Sequence, residues 1–194
     1  MAVFLFSVTM VNANAARPFV TDDARLTNDN SCQLESWVRH YKQSDEVWAL
    51  PACNFGGNFE VTAGGGQAQS AGSEQTTDYV LQAKTLFRSL TVNDWGWGLA
   101  VGTVRHPSIK PGPNLLGNSY FYLPASLSLM SDVVIVHSNV GMLRDTQTGL
   151  YSGTWGVGGE FKVTPRLLWI AEAFGDHRNK PYWQLGGRYA VVPD

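Results

Sequence analysis

Residues 95–103 read Trp-Gly-Trp-Gly-Leu-Ala-Val-Gly-Thr and alternate large and small side chains without a slip. Successive side chains leave a pleated backbone on opposite faces. Period-two alternation therefore predicts a β-strand with Trp95, Trp97, Leu99 and Val101 on one face and Gly96, Gly98, Ala100 and Gly102 on the other. In a soluble, half-buried strand the face turned from the core is polar. Here it is nearly bare, and glycine inside a strand is unfavourable unless something must approach the backbone closely. Large apolar groups toward lipid and small ones toward a crowded interior is the pattern of a strand in a transmembrane β-barrel. It recurs at residues 155–163 and 183–191.

Composition agrees with that reading. Charged residues make up 15% of the chain, against roughly 25% in an ordinary soluble protein, while aromatics reach 12% with 7 Trp. Mean hydropathy is only -0.13, and past residue 15 no apolar run approaches the roughly 20 residues of a membrane helix. Membrane helices are excluded, whereas barrel strands, apolar on alternate residues, fit. A net charge of -2 without any Lys/Arg run gives no footprint for nucleic acid. Residues 1–15 read as a signal peptide, with an apolar run over 2–11 and a small-x-small site at Asn12-Ala13-Asn14-Ala15. No Lys or Arg precedes the apolar run, which fits a start codon further upstream; a short buried helix is the alternative. Residues 16–30, with Arg17, Asp22, Asp23, Arg25 and Asp29 and no alternation, form a non-strand segment, either periplasmic or folded into the lumen. Residues 31–194 form the barrel domain.

Ten strands are predicted, over residues 31–41, 46–53, 59–67, 79–87, 95–105, 118–130, 132–143, 155–164, 167–175 and 181–191. Pairing the first two so that residue numbers sum to 85 sets Trp37 beside Trp48, Val38 beside Val47 and Cys32 opposite Cys53, keeping apolar groups on one face. In an exported protein two cysteines so placed predict a disulfide. Two thiols with no nearby His cannot complete a metal site, and no cofactor is expected. Connections alternate between short (54–58, 88–94, 131, 165–166) and longer (68–78, 106–117, 144–154, 176–180), the asymmetry of outer-membrane barrels. Val191-Val192-Pro193-Asp194 resembles another tight turn rather than a last strand, so the expected parent has twelve strands, with the C-terminal ones missing here. The predicted fold is all-β, an antiparallel up-and-down transmembrane β-barrel.

Phase assigns the lumen side: Glu35, Trp37, Arg39, Glu60, Thr62, Gln82, Lys84, Gly156, Gly158, Glu160, Lys162, Gln184, Gly186 and Arg188. Glu172 joins them because a carboxylate in lipid is far costlier. A small bulge at 165–167 would put Glu160 opposite Glu172, with Arg188 and Lys162 one diagonal away. Such a cluster neutralises itself structurally or, on the sharper reading, lines a polar path. By the same phase, Leu99→Arg is expected to impair folding and Gly98→Ser to be milder. The four histidines are His40, His106, His137 and His177. His137 adjoins Ser138, and strand neighbours point to opposite faces, so it cannot activate that hydroxyl. No Gly-x-Ser-x-Gly, His-Glu-x-x-His or phosphate-loop motif occurs, and no enzyme is expected, although a lipid-acting barrel could build a site from separate strands.

The stretch Ala16-Arg17-Pro18-Phe19-Val20-Thr21-Asp22-Asp23-Ala24-Arg25-Leu26, then Ser31-Cys32-Gln33-Leu34-Glu35-Ser36-Trp37 and Pro51-Ala52-Cys53-Asn54, resembles bacterial outer-membrane proteins grouped as meta-pathway of phenol degradation. Lys84-Thr85-Leu86-Phe87-Arg88 and residues 95–107 are similar too. The resemblance implies a β-barrel in the outer membrane of a Gram-negative bacterium, inserted by the barrel assembly machinery and surrounded by lipid. It implies a passive channel for small, aromatic or otherwise hydrophobic compounds, with no catalytic residues. A structural or lipid-acting outer-membrane barrel and a soluble exported ligand-binding β-barrel are the alternatives.

Overall fold

In the computed structural model the described residues are 20–40, 44–70, 75–105 and 117–189. The signal-peptide expectation, the 106–116 loop with His106, and residues 190–194 lie outside them. Ten strands follow one another: β1 (Ser31–His40), β2 (Ser44–Asn54), β3 (Glu60–Ser70), β4 (Thr76–Arg88), β5 (Trp95–Arg105), β6 (Asn118–Leu129), β7 (Val134–Arg144), β8 (Tyr151–Lys162), β9 (Leu167–Asp176) and β10 (Tyr182–Tyr189). They form one antiparallel up-and-down sheet in the order β1 to β10, curled into a half-barrel with β1 and β10 as its edges among the described residues.

The alternation sorts the faces as expected. Leu34, Val38, Leu81, Val101, Phe121, Leu123, Val140, Val157, Trp169 and Leu185 stand exposed on the outer face. Ala83, Val101, Phe121 and Met142 lie side by side across β4 to β7, a continuous apolar row. Glu60, Thr62, Lys84, Ser126, His137, Glu160 and Glu172 are buried on the inner face. Residues 20–30 lie along that face as a strap; Ala24 of the strap is buried, as are Ala52, Leu86, Ala100, Ile135 and Ile170 of the sheet. The β1–β2 register is the expected one, with Trp37 opposite Trp48 and Cys32 bonded to Cys53.

Two expectations are corrected. The β8–β9 pairing carries no bulge: Glu160 faces Ile170 and Glu172 faces Gly158, while Arg188 and Lys162 share a row through Leu168. The Thr164 hydroxyl accepts from the Arg166 and Leu167 amides at 3.2 and 2.9 Å, which tightens the turn and leaves no extra residue to insert. A two-residue shift keeps the phase, so Glu172 still points inward. The contrast in connection length also contracts. β3 runs on to Ser70, β4 begins at Thr76 and β8 at Tyr151, because backbone pairing continues through polar residues read as loop. At the opposite end, Arg88 donates to Asp94, and together with the Trp95 amide it holds that carboxyl below its ordinary value.

The Cys32–Cys53 bridge closes a loop with a sequence separation of 21, and on the chain-entropy account removing it costs about 3 kcal/mol. Cys32→Ser/Cys53→Ser is expected to keep the fold and lower the denaturation midpoint. Mass analysis after thiol blocking should find no alkylated cysteine in the parent; two alkylated thiols would refute the pairing.

Candidate functional site

Cross-strand register brings distant polar side chains together on the inner face, and the strap fastens onto them. At one end the Glu172 carboxylate on β9 accepts from the Val20 and Thr21 amides at 2.8 and 2.9 Å, and Gln184 donates to it from β10. At the other, Glu60 on β3 accepts from the Thr27 amide and hydroxyl at 2.7 and 2.6 Å. Asn54 donates to the Thr27 carbonyl at 2.8 Å. These groups do for the strap what a neighbouring strand would do, since buried backbone groups must be paired.

The centre carries the charge. Lys84 on β4, 2% exposed, lies 2.9 Å from Asp22 and 3.5 Å from Asp23. Tyr122 donates to Asp22 at 2.7 Å, and Tyr120 donates to Gln82 at 2.9 Å. The Asn139 carboxamide, oriented by its surroundings, donates to the Asp22 carbonyl at 2.9 Å and accepts from the Asp22 amide at 2.6 Å. Isolated charges in such a place would be prohibitive, but a paired and hydrogen-bonded set is tolerated.

Beside this lies a second chain of contacts. Ser126 stands directly opposite His137 in the β6–β7 ladder, with its Oγ 2.8 Å from Nδ1, and His137 Nε2 lies 3.7 Å from Glu160 on β8. Ala24 N–H donates to the same Oγ at 2.8 Å. The Ser126 hydroxyl thus joins the strap backbone at Ala24 to the His137 ring, whose other nitrogen faces Glu160. Serine, histidine and carboxylate fall in hydrolytic order. In this arrangement, however, they close over a wholly buried Ala24 and act as a fastening for the strap. Arg25, on the strap, reaches Glu160 at 3.9 Å.

Of the residues assigned to the lumen from sequence, Glu60, Lys84, Glu160 and Glu172 are buried on the inner face, and Glu35 and Gln82 are half-buried on it. Lys162 and Arg188 share the inner phase but are exposed, one beside a turn and the other on the edge strand β10. The Arg39 side chain lies outside the described residues. Sequence reasoning missed Asp22, Ser126, Tyr122 and Asn139. Ser126 is legible from the β6–β7 register, in which residue numbers sum to 263 and set it opposite His137, whereas Ser138 is only a neighbour in sequence.

These features define a class: a single-layer, up-and-down β-sheet with an inverted burial pattern and a polar N-terminal strap across its inner face. Over residues 2–192 the chain matches the model of the family described as uncharacterised conserved protein UCP029691, and it belongs to that family. No curated protein and no solved structure matches it.

Breaking a buried ion pair from one side costs about 3–5 kcal/mol, because the remaining charge is stranded. Lys84→Met should therefore loosen the strap. Trypsin cleavage after Arg25 is expected to be slow in the parent and fast in Lys84→Met. Lys84→Met/Asp22→Leu should recover part of the resistance, and unchanged cleavage in Lys84→Met would mean the pair does not hold the strap.

Proposed function

We propose that this chain forms the wall of an outer-membrane β-barrel in a Gram-negative bacterium and serves as a passive route for small, aromatic or otherwise hydrophobic compounds. The observation that carries the reading is the inverted burial. Leu81 is 53% exposed and Trp169 63%, while Glu172 on the opposite face is 4% exposed. In water this arrangement would be upside down. In lipid it fits: apolar side chains meet acyl chains, charges stay inside, and backbone groups pair along the sheet between its β1 and β10 edges. Eight of the ten strands are 10 to 12 residues long, close to the roughly 9–11 a tilted membrane strand needs. Phe87, Trp95, Trp97, Phe161 and Trp169 gather on the outer face near the short-turn end, where an aromatic girdle would sit. The likeness to outer-membrane proteins of the phenol-degradation group points the same way.

On this reading the strap narrows the interior, and passage uses the space beside it. The inner face carries more carboxylates than bases: Asp22, Asp23, Glu35, Glu60, Glu160 and Glu172 against Lys84, Arg25 and the exposed Lys162 and Arg188. Any ionic leak should therefore favour cations.

A basic residue on the lipid face at mid-bilayer costs about 2–4 kcal/mol. Leu99→Arg and Val157→Arg are expected to lose heat-modifiable folding in vesicles. Gly186→Ser should fold, because a Cβ there meets nothing within 4 Å. Gly98→Ser, expected from sequence to be mild, joins the harmful set: its Cβ would lie 2.2 Å from the Thr85 carbonyl. Normal folding of both arginine variants would refute the membrane wall. A folded protein that gives no solute-dependent flux or conductance would refute the channel alone.

A further inference from the structure

The two ends of the strap are held very differently. At the C-terminal end Thr27 gives its amide and hydroxyl to Glu60, and its carbonyl accepts from Asn54. Asn54 also donates to Asp29 and to the Gly57 carbonyl, and the chain then enters β1 at Ser31. Asp22 is held as firmly. Its carboxylate meets the Lys84 ammonium and the Tyr122 hydroxyl, and its backbone amide and carbonyl both meet Asn139. The N-terminal end, Val20–Thr21, depends on one side chain among the described residues. Glu172 accepts the Val20 amide on Oε1 and the Thr21 amide on Oε2. Val20 itself is 45% exposed.

That end also carries a penalty. Thr21 is 2% exposed, yet its hydroxyl has no hydrogen-bond partner among the described residues. A buried hydroxyl without a partner has lost what water gives it, so it favours any state in which Thr21 meets water. Glu172 opposes it. Both carboxylate oxygens are engaged by N–H groups, with Gln184 adding a third donor from β10, and such charge-assisted bonds are the strong ones. Closing and opening tendencies therefore meet at a single residue pair.

The floor beneath this end is bare. Thr21 lies over Gly156, where an added Cβ would come within 2.5 Å of the hydroxyl, and Gly158 stands opposite Glu172. Both glycines are buried on the inner phase of β8. Toward the other end of the strap the inner face carries Glu60, Thr62 and Lys84 instead. Space is released only where the floor has no side chains, and that is under Val20–Thr21.

We propose that Val20–Thr21 is the moving part of a gate, latched on Glu172 and turning about the fixed Asp22. Closed, it covers the β8 glycines. Lifted, it opens a groove floored by Gly156 and Gly158 and walled by Glu172 and Gln184, beside the part of the strap that stays in place. This regulates the route proposed above and rests on that reading. Local opening of a few contacts at the end of an otherwise fixed segment is the ordinary form of such a device.

The test uses the whole chain in lipid bilayers, with amide hydrogen exchange read residue by residue and single-channel current recorded in potassium chloride. In the parent, the Val20 and Thr21 amides should exchange faster than those of Asp22 and Thr27. Thr21→Val keeps the shape, removes the hydroxyl, and should slow exchange at 20 and 21 about tenfold after correction for intrinsic rates. Glu172→Gln keeps one acceptor oxygen and turns an N–H toward an amide, and should speed it about tenfold or more. Gly156→Ala should speed it too, by pushing Thr21 off the floor while Glu172 stays intact. The Thr27 amide should not change in any of the three, all folded by heat-modifiable mobility. The open fraction in the current should be lowest in Thr21→Val and highest in Glu172→Gln and Gly156→Ala. Equal exchange along residues 20–27 in every variant would overturn the latch, because the strap would then move as one piece. Exchange in Thr21→Val as fast as in the parent would overturn it as well. Exchange as expected with unchanged currents would overturn the gate. Exchange as expected with no current in any variant would instead overturn the route, while the moving strap end stood.

Discussion

The buried Lys84 ammonium and the Asp22 carboxylate 2.9 Å from it set the terms for the rest of the molecule. A sheet is one layer, and a stable domain covers it with a second. Here the second layer is a strap that is itself polar. An apolar strap would take from Glu60 and Glu172 the amides that hold them, and a bare inner face would take from Lys84 the Asp22 carboxylate beside it. The match therefore runs in both directions: the sheet supplies carboxylates where the strap has free amides, and the strap supplies a carboxylate where the sheet has a base.

Much of the sheet is legible from the sequence, because its rule is local. Period two assigns faces residue by residue, and the β1–β2 hairpin register follows from keeping Trp37 with Trp48, which in turn fixes Cys32 against Cys53. The strap obeys no such rule. Its partners lie 33 residues away at Glu60 and 152 away at Glu172, and its backbone is paired by side chains, so it has no period to read. Its place on the inner face could be left open from sequence and no more. The loops failed differently: Ala68, Gln69, Thr76 and Thr77 look like loop by composition, yet a ladder needs only their backbone.

The glycines carry a related lesson. From alternation alone, Gly98 and Gly102 read as a bare face toward a crowded interior, with nothing to say what crowds it. In the structure they are places where neighbours come close. A Cβ at Gly102 would fall 2.4 Å from the Tyr120 ring, and one at Gly98 would strike the β4 backbone. Glycine in this sheet makes room for a specific neighbour, and the structure names that neighbour where the stripe of small residues could not.

The strap also imposes an order of events on the chain. In a meander each strand needs only the strand before it, so the sheet can grow hairpin by hairpin with little long-range search. The strap cannot join that sequence. It precedes β1 in the chain, yet one of its anchors stands on β3 and the other on β9, and neither alone holds both ends. The first described segment to be synthesised is thus among the last to settle, and it settles fully only on a sheet that has reached β9. Docking of residues 20–30 amounts to a structural proofreading step, in which the polar interior is sealed after the wall around it has been laid.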